Sequence, residues 1–146
     1  MKQLVLIGLL LTGGCGIFEP ASDEEARLEN AIAGWKRLGI TEYSYVYSRT
    51  CECPPEWQRP VLVVVKDGEV TQAKDLETGA ARDITRMPTI DDLFTMIRDA
   101  LDEDADVIRI SYDRQFYYPI DMLIDDDRSA ADDELIMKAW ALIRIK

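Results

Sequence analysis

Three cysteines are the residues of this 146-residue chain whose spacing most directly suggests chemistry. Cys15 follows three small residues, Thr12 to Gly14. A lipoprotein signal peptidase needs small residues directly before the cysteine at which it cleaves. Cys51 and Cys53 are separated by one residue, so on an extended strand both side chains would lie on the same face. The first cysteine therefore indicates lipid attachment, and the other two indicate a thiol pair.

Several interpretations of Cys51 and Cys53 compete. In an oxidising compartment the pair predicts a small local disulfide at the end of a strand. The alternatives are a disulfide active in thiol–disulfide exchange, a pair of thiolates for a soft metal such as Cu(I) or zinc, and two free thiols. Two sulfurs do not complete a structural zinc site, and the chain has no histidine. We therefore favour the local disulfide and expect no bound metal or other cofactor.

Other patterns that could support catalysis are weak. The absence of histidine excludes Ser-His-Asp and Cys-His catalysis. Asp102, Asp104, Asp106 and Asp113 have the spacing of a calcium loop, but Val107 stands where an EF-hand needs glycine. The sequence contains neither a glycine-rich phosphate loop nor a nucleophile elbow. We predict that the protein is not an enzyme and has no catalytic residues.

The charge balance limits the partners. Asp and Glu number 28 against 17 Lys and Arg, which gives a formal charge of −11. Phosphate affinity depends on basic contacts, and no cluster of Lys and Arg stands out along the sequence. We therefore expect no nucleic-acid partner.

Residues 1–14 resemble a lipoprotein signal peptide. A short basic start precedes the apolar run 4–11, which is too short to cross a bilayer as a mature helix. Cleavage before Cys15 would leave this residue at the new N-terminus, where it would carry a diacylglycerol and an amide-linked acyl chain such as palmitate. The alternatives are a plain secretory signal with an incidental Cys15 and a buried N-terminal helix.

The predicted lipid would hold the protein on a membrane, because each buried CH₂ contributes about 0.8 kcal/mol and more than one acyl chain anchors stably. Residues 15–21 would then be the lipidated cysteine and a short tether. Gly16, rather than aspartate, follows the cysteine. This favours the outer membrane, with the protein facing the periplasm of a bacterial envelope.

Residues 22–146 are predicted to form a single domain. Periodic apolar positions predict helices over 23–38 and from Ile90, after the capping residue Thr89. The order α-β-β-β-α-β-β-β predicts an α+β fold in two layers, with two helices on one face of an antiparallel sheet of five to six strands. Strand patterns occur at 43–48, 61–66, 69–74, 107–112, 119–124 and 135–145, of which the last could instead be a helix.

Turn residues separate these elements. Gly39 is expected to end the first helix, and the segment 51–55, with its two prolines, to end the first strand. Asp67-Gly68 predicts a two-residue hairpin between the strands at 61–66 and 69–74, and residues 76–88 are expected to form an exposed loop.

Aromatic residues form the other candidate site. Trp57, Phe116, Tyr117 and Tyr118 lie in predicted turns, where no helix needs to cover them. Because Trp and Tyr are favoured at interfaces, these residues predict a surface for a partner, such as another envelope protein. The alternating tyrosines of 43–47 are instead expected to pack under a helix.

Together, these segments resemble the bacterial family of unknown function numbered 6174, whose members are small exported proteins, many of them lipoproteins. The resemblance covers residues 24–145. In place of the glycine that usually precedes Tyr-Pro in the family pattern, this chain has Tyr117. The most specific parts are Cys51-Glu52-Cys53, the Asp67-Gly68 hairpin, and Tyr112-Asp113 with Tyr118-Pro119. The resemblance implies no established activity.

We therefore predict a lipid-anchored cell-envelope protein with a non-enzymatic binding or structural role. Its partners would be the membrane, through the lipid, and an envelope protein. The alternative is thiol–disulfide or soft-metal chemistry at Cys51 and Cys53.

Overall fold

The structure, a computed structural model, describes residues 23–126, 129 and 134–145. The predicted signal peptide, Cys15 and the tether lie outside the described residues. No helix within the described part of the chain is long and apolar enough to span a bilayer. The elements in chain order are α1 (Asp23–Leu38), β1 (Tyr43–Thr50), α2 (Pro55–Gln58), β2 (Val61–Lys66), β3 (Glu69–Asp75), a 3-10 helix (Ile84–Arg86), α3 (Ile90–Asp102), β4 (Val107–Tyr112), β5 (Pro119–Asp125) and β6 (Leu135–Arg144).

The six strands form one antiparallel sheet in the order β3-β2-β1-β6-β5-β4. The two long helices, α1 and α3, pack on the sheet and on each other. The predicted α+β fold is therefore confirmed. The last segment is a strand rather than a helix, and β6 lies near the centre of the sheet with a partner on either side.

The tyrosines of β1 form the centre of the core beneath the helices. Tyr43, Tyr45 and Tyr47 alternate along the strand, so all three lie on the helix-covered face and are buried. The Tyr43 hydroxyl accepts a hydrogen bond from the backbone N–H of Ile90 at 2.9 Å, which joins β1 to the start of α3. The edge of the Trp35 ring packs on Tyr43 at 5.4 Å between centroids. The expectation that this face packs under a helix is confirmed.

Local signals position the turns as predicted. Asp67 and Gly68 both have positive φ, 51° and 79°, which is the backbone of a two-residue hairpin between β2 and β3. Gly39, with a φ of 59°, ends α1. Thr89 begins α3 with a capping box, in which its hydroxyl accepts from the N–H of Asp92 and the Asp92 carboxylate accepts from the N–H of Thr89.

Two short helices were not predicted. The strand β1 ends at Thr50, before Cys51. Pro55 then starts α2, because its fixed φ suits the first turn of a helix. The segment 76–88 was expected to be an exposed loop, and it contains the 3-10 helix instead of being irregular throughout. Asp83 caps this helix by accepting a hydrogen bond from the N–H of Thr85 at 3.0 Å. Both short helices border the same cleft.

Candidate functional site

A cleft of about 550 Å³ opens where β1 ends. Three segments of the chain line it. The end of β1 supplies 47–49, α2 and the residues after it supply Trp57, Arg59 and Val61, and the loop with the 3-10 helix supplies 81–83 with 86 and 87. This volume lies within the range of small-molecule sites in proteins, about 300–1,000 Å³.

The cleft is basic although the chain is acidic. Arg49, Arg59, Arg82 and Arg86 line it, which is four of the 17 basic residues in a chain of formal charge −11. Among the described residues that line the cleft, Asp83 alone carries a carboxylate. A concave site with this lining attracts anions. Because the chain as a whole is acidic, the positive charge is confined to the cleft.

A buried carboxylate behind the cleft fixes two of the arginines. Asp75 ends β3 and is only 1% exposed. Its Oδ1 accepts hydrogen bonds from the N–H groups of Glu77 and Thr78 at 2.9 and 3.0 Å, and its Oδ2 accepts from Arg82 at 3.1 Å. Arg59 lies 3.8 Å from the same oxygen. The N–H bond from Thr78 does most to hold the pKa of Asp75 below its ordinary value, so the carboxylate stays charged and orients both guanidinium groups.

Trp57 supports the other two arginines. The guanidinium carbon of Arg86 lies 4.0 Å from the centre of the Trp57 ring, and that of Arg49 lies 5.8 Å from it. Both distances are within the range of a cation–π interaction. Two positive charges therefore share one indole ring at the edge of the cleft.

Arg49 is the least neutralised of the four cations. Within the described part of the chain, no carboxylate lies within 4.0 Å of its guanidinium group, whereas Arg86 has Asp83 at 3.5 Å. Burial raises the pKa of the neighbouring Tyr47 to about 12, against a smaller lowering by the Arg49 charge. Among the described residues, the cleft thus contains one guanidinium without a carboxylate partner, beside a neutral phenol.

The Cys51–Cys53 pair lies in the segment that leads into the cleft. The two sulfur atoms are 2.07 Å apart, which is the length of a disulfide bond, and the Cα atoms are 5.2 Å apart. The Gln58 side-chain amide donates to the carbonyl oxygens of Cys51 and Cys53 at 3.3 and 3.1 Å. This disulfide turn is therefore tied to α2, which carries Trp57.

The predicted aromatic surface does not form as one patch. Arg144 lies over the Phe116 ring and pairs with Tyr43, the first residue of β1. Arg49 lies over the Trp57 ring and is the second-last residue of β1. The two groups therefore lie at opposite ends of the sheet. The expectation that Tyr118 is exposed is wrong: it is 3% exposed, because it enters the core next to Pro119 at the start of β5.

The sequence did not reveal the arginines of the cleft. They are spread over 49–86 with no regular spacing, and only the meeting of β1, α2 and the loop after β3 brings them together. Trp57 was the one residue of this site that sequence reasoning selected. Among the described residues, no group of three or more Cys, Asp or Glu is arranged to hold a metal ion.

Comparison with known families matches residues 27–143 to the model of a family of unknown function, DUF6174. The chain belongs to this family. No curated protein and no solved structure matches the chain significantly. The matched range runs from α1 to β6 and so includes the whole arginine cleft and the disulfide turn.

One departure from the expected DUF6174 pattern has a clear structural place. Tyr117 stands where the resemblance implies a glycine, and its φ is 65°, in the left-handed region that glycine adopts freely. A glycine would therefore fit the backbone of this turn. Its side chain is 37% exposed and packs on Gly34 of α1.

Proposed function

We propose that this chain is a lipid-anchored, non-enzymatic binding module of the bacterial envelope, and that its arginine cleft binds a small anion with an apolar part. One observation carries the anion proposal: Arg49 and Arg86 both lie against Trp57, in a chain whose formal charge is −11. In such a chain, two guanidinium groups stacked on one indole ring in a cleft are a specific feature rather than part of a basic surface.

The lining defines the chemistry of the ligand. Guanidinium groups recognise carboxylate and phosphate through paired, charge-assisted hydrogen bonds. Tyr47, Val61 and Met87 supply apolar surface to the same cleft, so a ligand with an aromatic or aliphatic group beside its anionic group fits best. A volume of about 550 Å³ suits a small molecule or the end of a peptide.

The protonation states favour binding over catalysis. Arginine stays charged throughout the physiological range and does not transfer protons. Burial raises the pKa of Tyr47 to about 12, so its phenol stays neutral near pH 7. Hydrogen bonds from Thr85 lower the pKa of Asp83, which makes this carboxylate a weak base. The lining therefore offers fixed charges and donors rather than a general acid or base.

The anchor is proposed from the sequence. Residues 1–14 have the pattern of a lipoprotein signal peptide, and Cys15 follows small residues at the cleavage point. A lipid on Cys15 would keep the cleft close to a membrane, on a tether of residues 15–21. Soluble anions, envelope peptides and lipid headgroups would all be within reach of such a module.

The binding proposal is tested by calorimetric titration of the full chain, in non-ionic detergent, with phenyl phosphate. This probe has an anionic group beside an aromatic ring. Arg49→Gln and Arg86→Gln are each expected to weaken binding at least tenfold, because a hydrogen bond to a charged group contributes about 1.5–3 kcal/mol and 1.4 kcal/mol is a factor of ten.

Arg37→Gln is the matched control, since it removes the same charge from an exposed position on α1 that does not line the cleft. The affinity of Arg37→Gln for phenyl phosphate should equal that of the unchanged protein. The proposal fails if phenyl phosphate does not bind saturably, or if Arg37→Gln weakens binding as much as Arg49→Gln does.

Thiol–disulfide exchange is the second candidate function. Cys51 and Cys53 are both partly exposed, so a thiolate in solution can reach the disulfide. This function predicts that the chain accelerates the reduction of insulin by dithiothreitol and that Cys51→Ser abolishes the acceleration. An equal rate with and without the chain would exclude it.

A further inference from the structure

The disulfide joins the two segments that supply Arg49 and the aromatic ring of the cleft. Arg49 lies two residues before Cys51, and Trp57 lies four residues after Cys53. The disulfide thus closes the short connection between β1 and α2. The position of Trp57 relative to Arg49 therefore depends on the path of this connection.

Gln58 transmits the geometry of the disulfide turn to α2. Within the turn, the N–H of Cys53 donates to the carbonyl oxygen of Cys51 at 2.7 Å. The single side-chain amide of Gln58 reaches the carbonyl oxygens of both cysteines. One amide group can do this only while the two carbonyls stay close together, which the cross-link enforces.

The helix α2 has little else to hold it. It has four residues, and none of them is buried. Its backbone is braced locally, by the N–H of Trp57 donating to the carbonyl of Pro54 at 2.8 Å. Short segments with few buried contacts open at low free energy. The position of Trp57 therefore depends on the disulfide turn and on the arginines that stack on it.

We propose that the Cys51–Cys53 disulfide controls the arginine cleft, so that its reduction releases Trp57 and weakens anion binding. This inference rests on the proposed function and adds a regulation to the same site. The oxidised chain would be the binding form, and the reduced chain the weakly binding form.

The reaction requires a dithiol donor. One thiolate of the donor attacks a sulfur of the disulfide and forms a mixed disulfide, while the other cysteine sulfur leaves and takes up a proton. The second thiolate of the donor then attacks the donor sulfur of the mixed disulfide. The cysteine sulfur of the chain leaves and is protonated in turn. The donor becomes a disulfide, and the chain gains two electrons and two protons as two thiols.

The test measures the Kd of phenyl phosphate for the full chain in its oxidised form and after reduction with dithiothreitol. Dithiothreitol is uncharged, so it does not compete for the anion site as a carboxylate-bearing reductant would. We expect the Kd to rise at least tenfold on reduction and to return on reoxidation. In parallel, NMR should show the indole N–H resonance of Trp57 shifting on reduction, while those of Trp35 and Trp140 stay in place.

Two variants separate the control from general damage. The double variant Cys51→Ser/Cys53→Ser should bind as weakly as the reduced chain, with or without dithiothreitol. Gln58→Leu keeps the disulfide and removes both hydrogen bonds, so it should bind weakly even when oxidised, with a shifted Trp57 resonance.

The outcomes distinguish the two proposals. Equal affinity of the oxidised, reduced and double-serine forms, with binding still lost in Arg49→Gln, would overturn the redox control and leave the anion site standing. Failure of the oxidised chain to bind phenyl phosphate would overturn both.

Discussion

The ring of Tyr117 lies directly on the backbone of Gly34 in α1. A β-carbon placed on residue 34 would come within 2.4 Å of Cγ of Tyr117 and within 2.8 Å of two further ring atoms. Tyr117 is held there by a turn in which its own N–H donates to the carbonyl of Asp113 at 3.0 Å. The helix and the β4–β5 turn are therefore fitted to each other through one glycine and one tyrosine.

Gly34→Ala should destabilise the protein. The added methyl group meets the flat face of a ring that α1 and its own turn both confine, and overpacking of this kind costs about 1–3 kcal/mol. In the background of Tyr117→Gly the same change should cost little, because the ring is gone and glycine tolerates the positive φ. Urea unfolding of the four proteins gives the coupling free energy directly.

A coupling free energy near zero would contradict this account of the contact. Ala33→Gly is the matched change on the exposed side of α1. It should cost about 1 kcal/mol through helix propensity alone and show no coupling to Tyr117→Gly.

Asp75 should make stability depend on acid pH. Hydrogen bonds hold its pKa below the ordinary value of 3.8, so the folded protein binds this proton less readily than the unfolded chain. The stabilisation is fully present above the unfolded pKa and is lost as the pH falls through the lower, folded pKa. Asp75→Asn should therefore show a flatter acid limb in urea unfolding. An unchanged acid limb would show that the carboxylate is not the group responsible.

The buried tyrosines should make stability depend on alkaline pH in the opposite sense. Burial raises the pKa of Tyr47 to about 12, and it also raises those of Tyr43 and Tyr45. The folded protein then keeps protons that the unfolded chain loses, so stability is present below about pH 10 and falls as the pH rises through 12.

For Tyr47 this loss is on the order of 3 kcal/mol once both states are ionised. Tyr47→Phe should reduce the loss of stability at alkaline pH. At neutral pH its free energy of unfolding should stay within about 1 kcal/mol of that of the unchanged protein, which is the scale of one hydrogen bond. Urea unfolding at several pH values measures both quantities. The same alkaline slope in Tyr47→Phe and in the unchanged protein would be the opposite result.

Cys15→Ser should release the protein from the membrane. A thioether-linked diacylglycerol anchors stably because two chains are buried together. Fractionation of bacterial cells should find the unchanged protein with membranes, and an alkyne analogue of palmitate should label it. The serine variant should carry no label. Equal labelling of the two proteins would rule out Cys15 as the attachment site.

Local signals made most of the fold predictable. The helix over 23–38, the capping residue Thr89 and the Asp67-Gly68 hairpin each depend on neighbours in sequence, and all three formed as expected. The two short helices were missed because Pro55 and Asp83 act over a single turn, which gives no periodic pattern.

The site was less predictable, because it depends on contacts between distant segments. Arg49, Arg59 and Arg86 are separated by ten and 27 positions, and each reads by itself as an exposed charge. Asp75 reads as one of many acids, and its role follows only from its burial against Arg82. Even Trp57, selected as an interface residue, was expected on a surface with Tyr117 rather than in a cleft.

The most direct test of the anion cleft is an amide-resolved NMR titration of the full chain with phenyl phosphate in non-ionic detergent. We expect the saturable shifts to cluster in three segments, at residues 47–49, 57–61 and 81–87, and to need at least ten times more phenyl phosphate in Arg49→Gln. Shifts centred on the β4–β5 turn, or spread without saturation over the exposed arginines, would contradict this expectation.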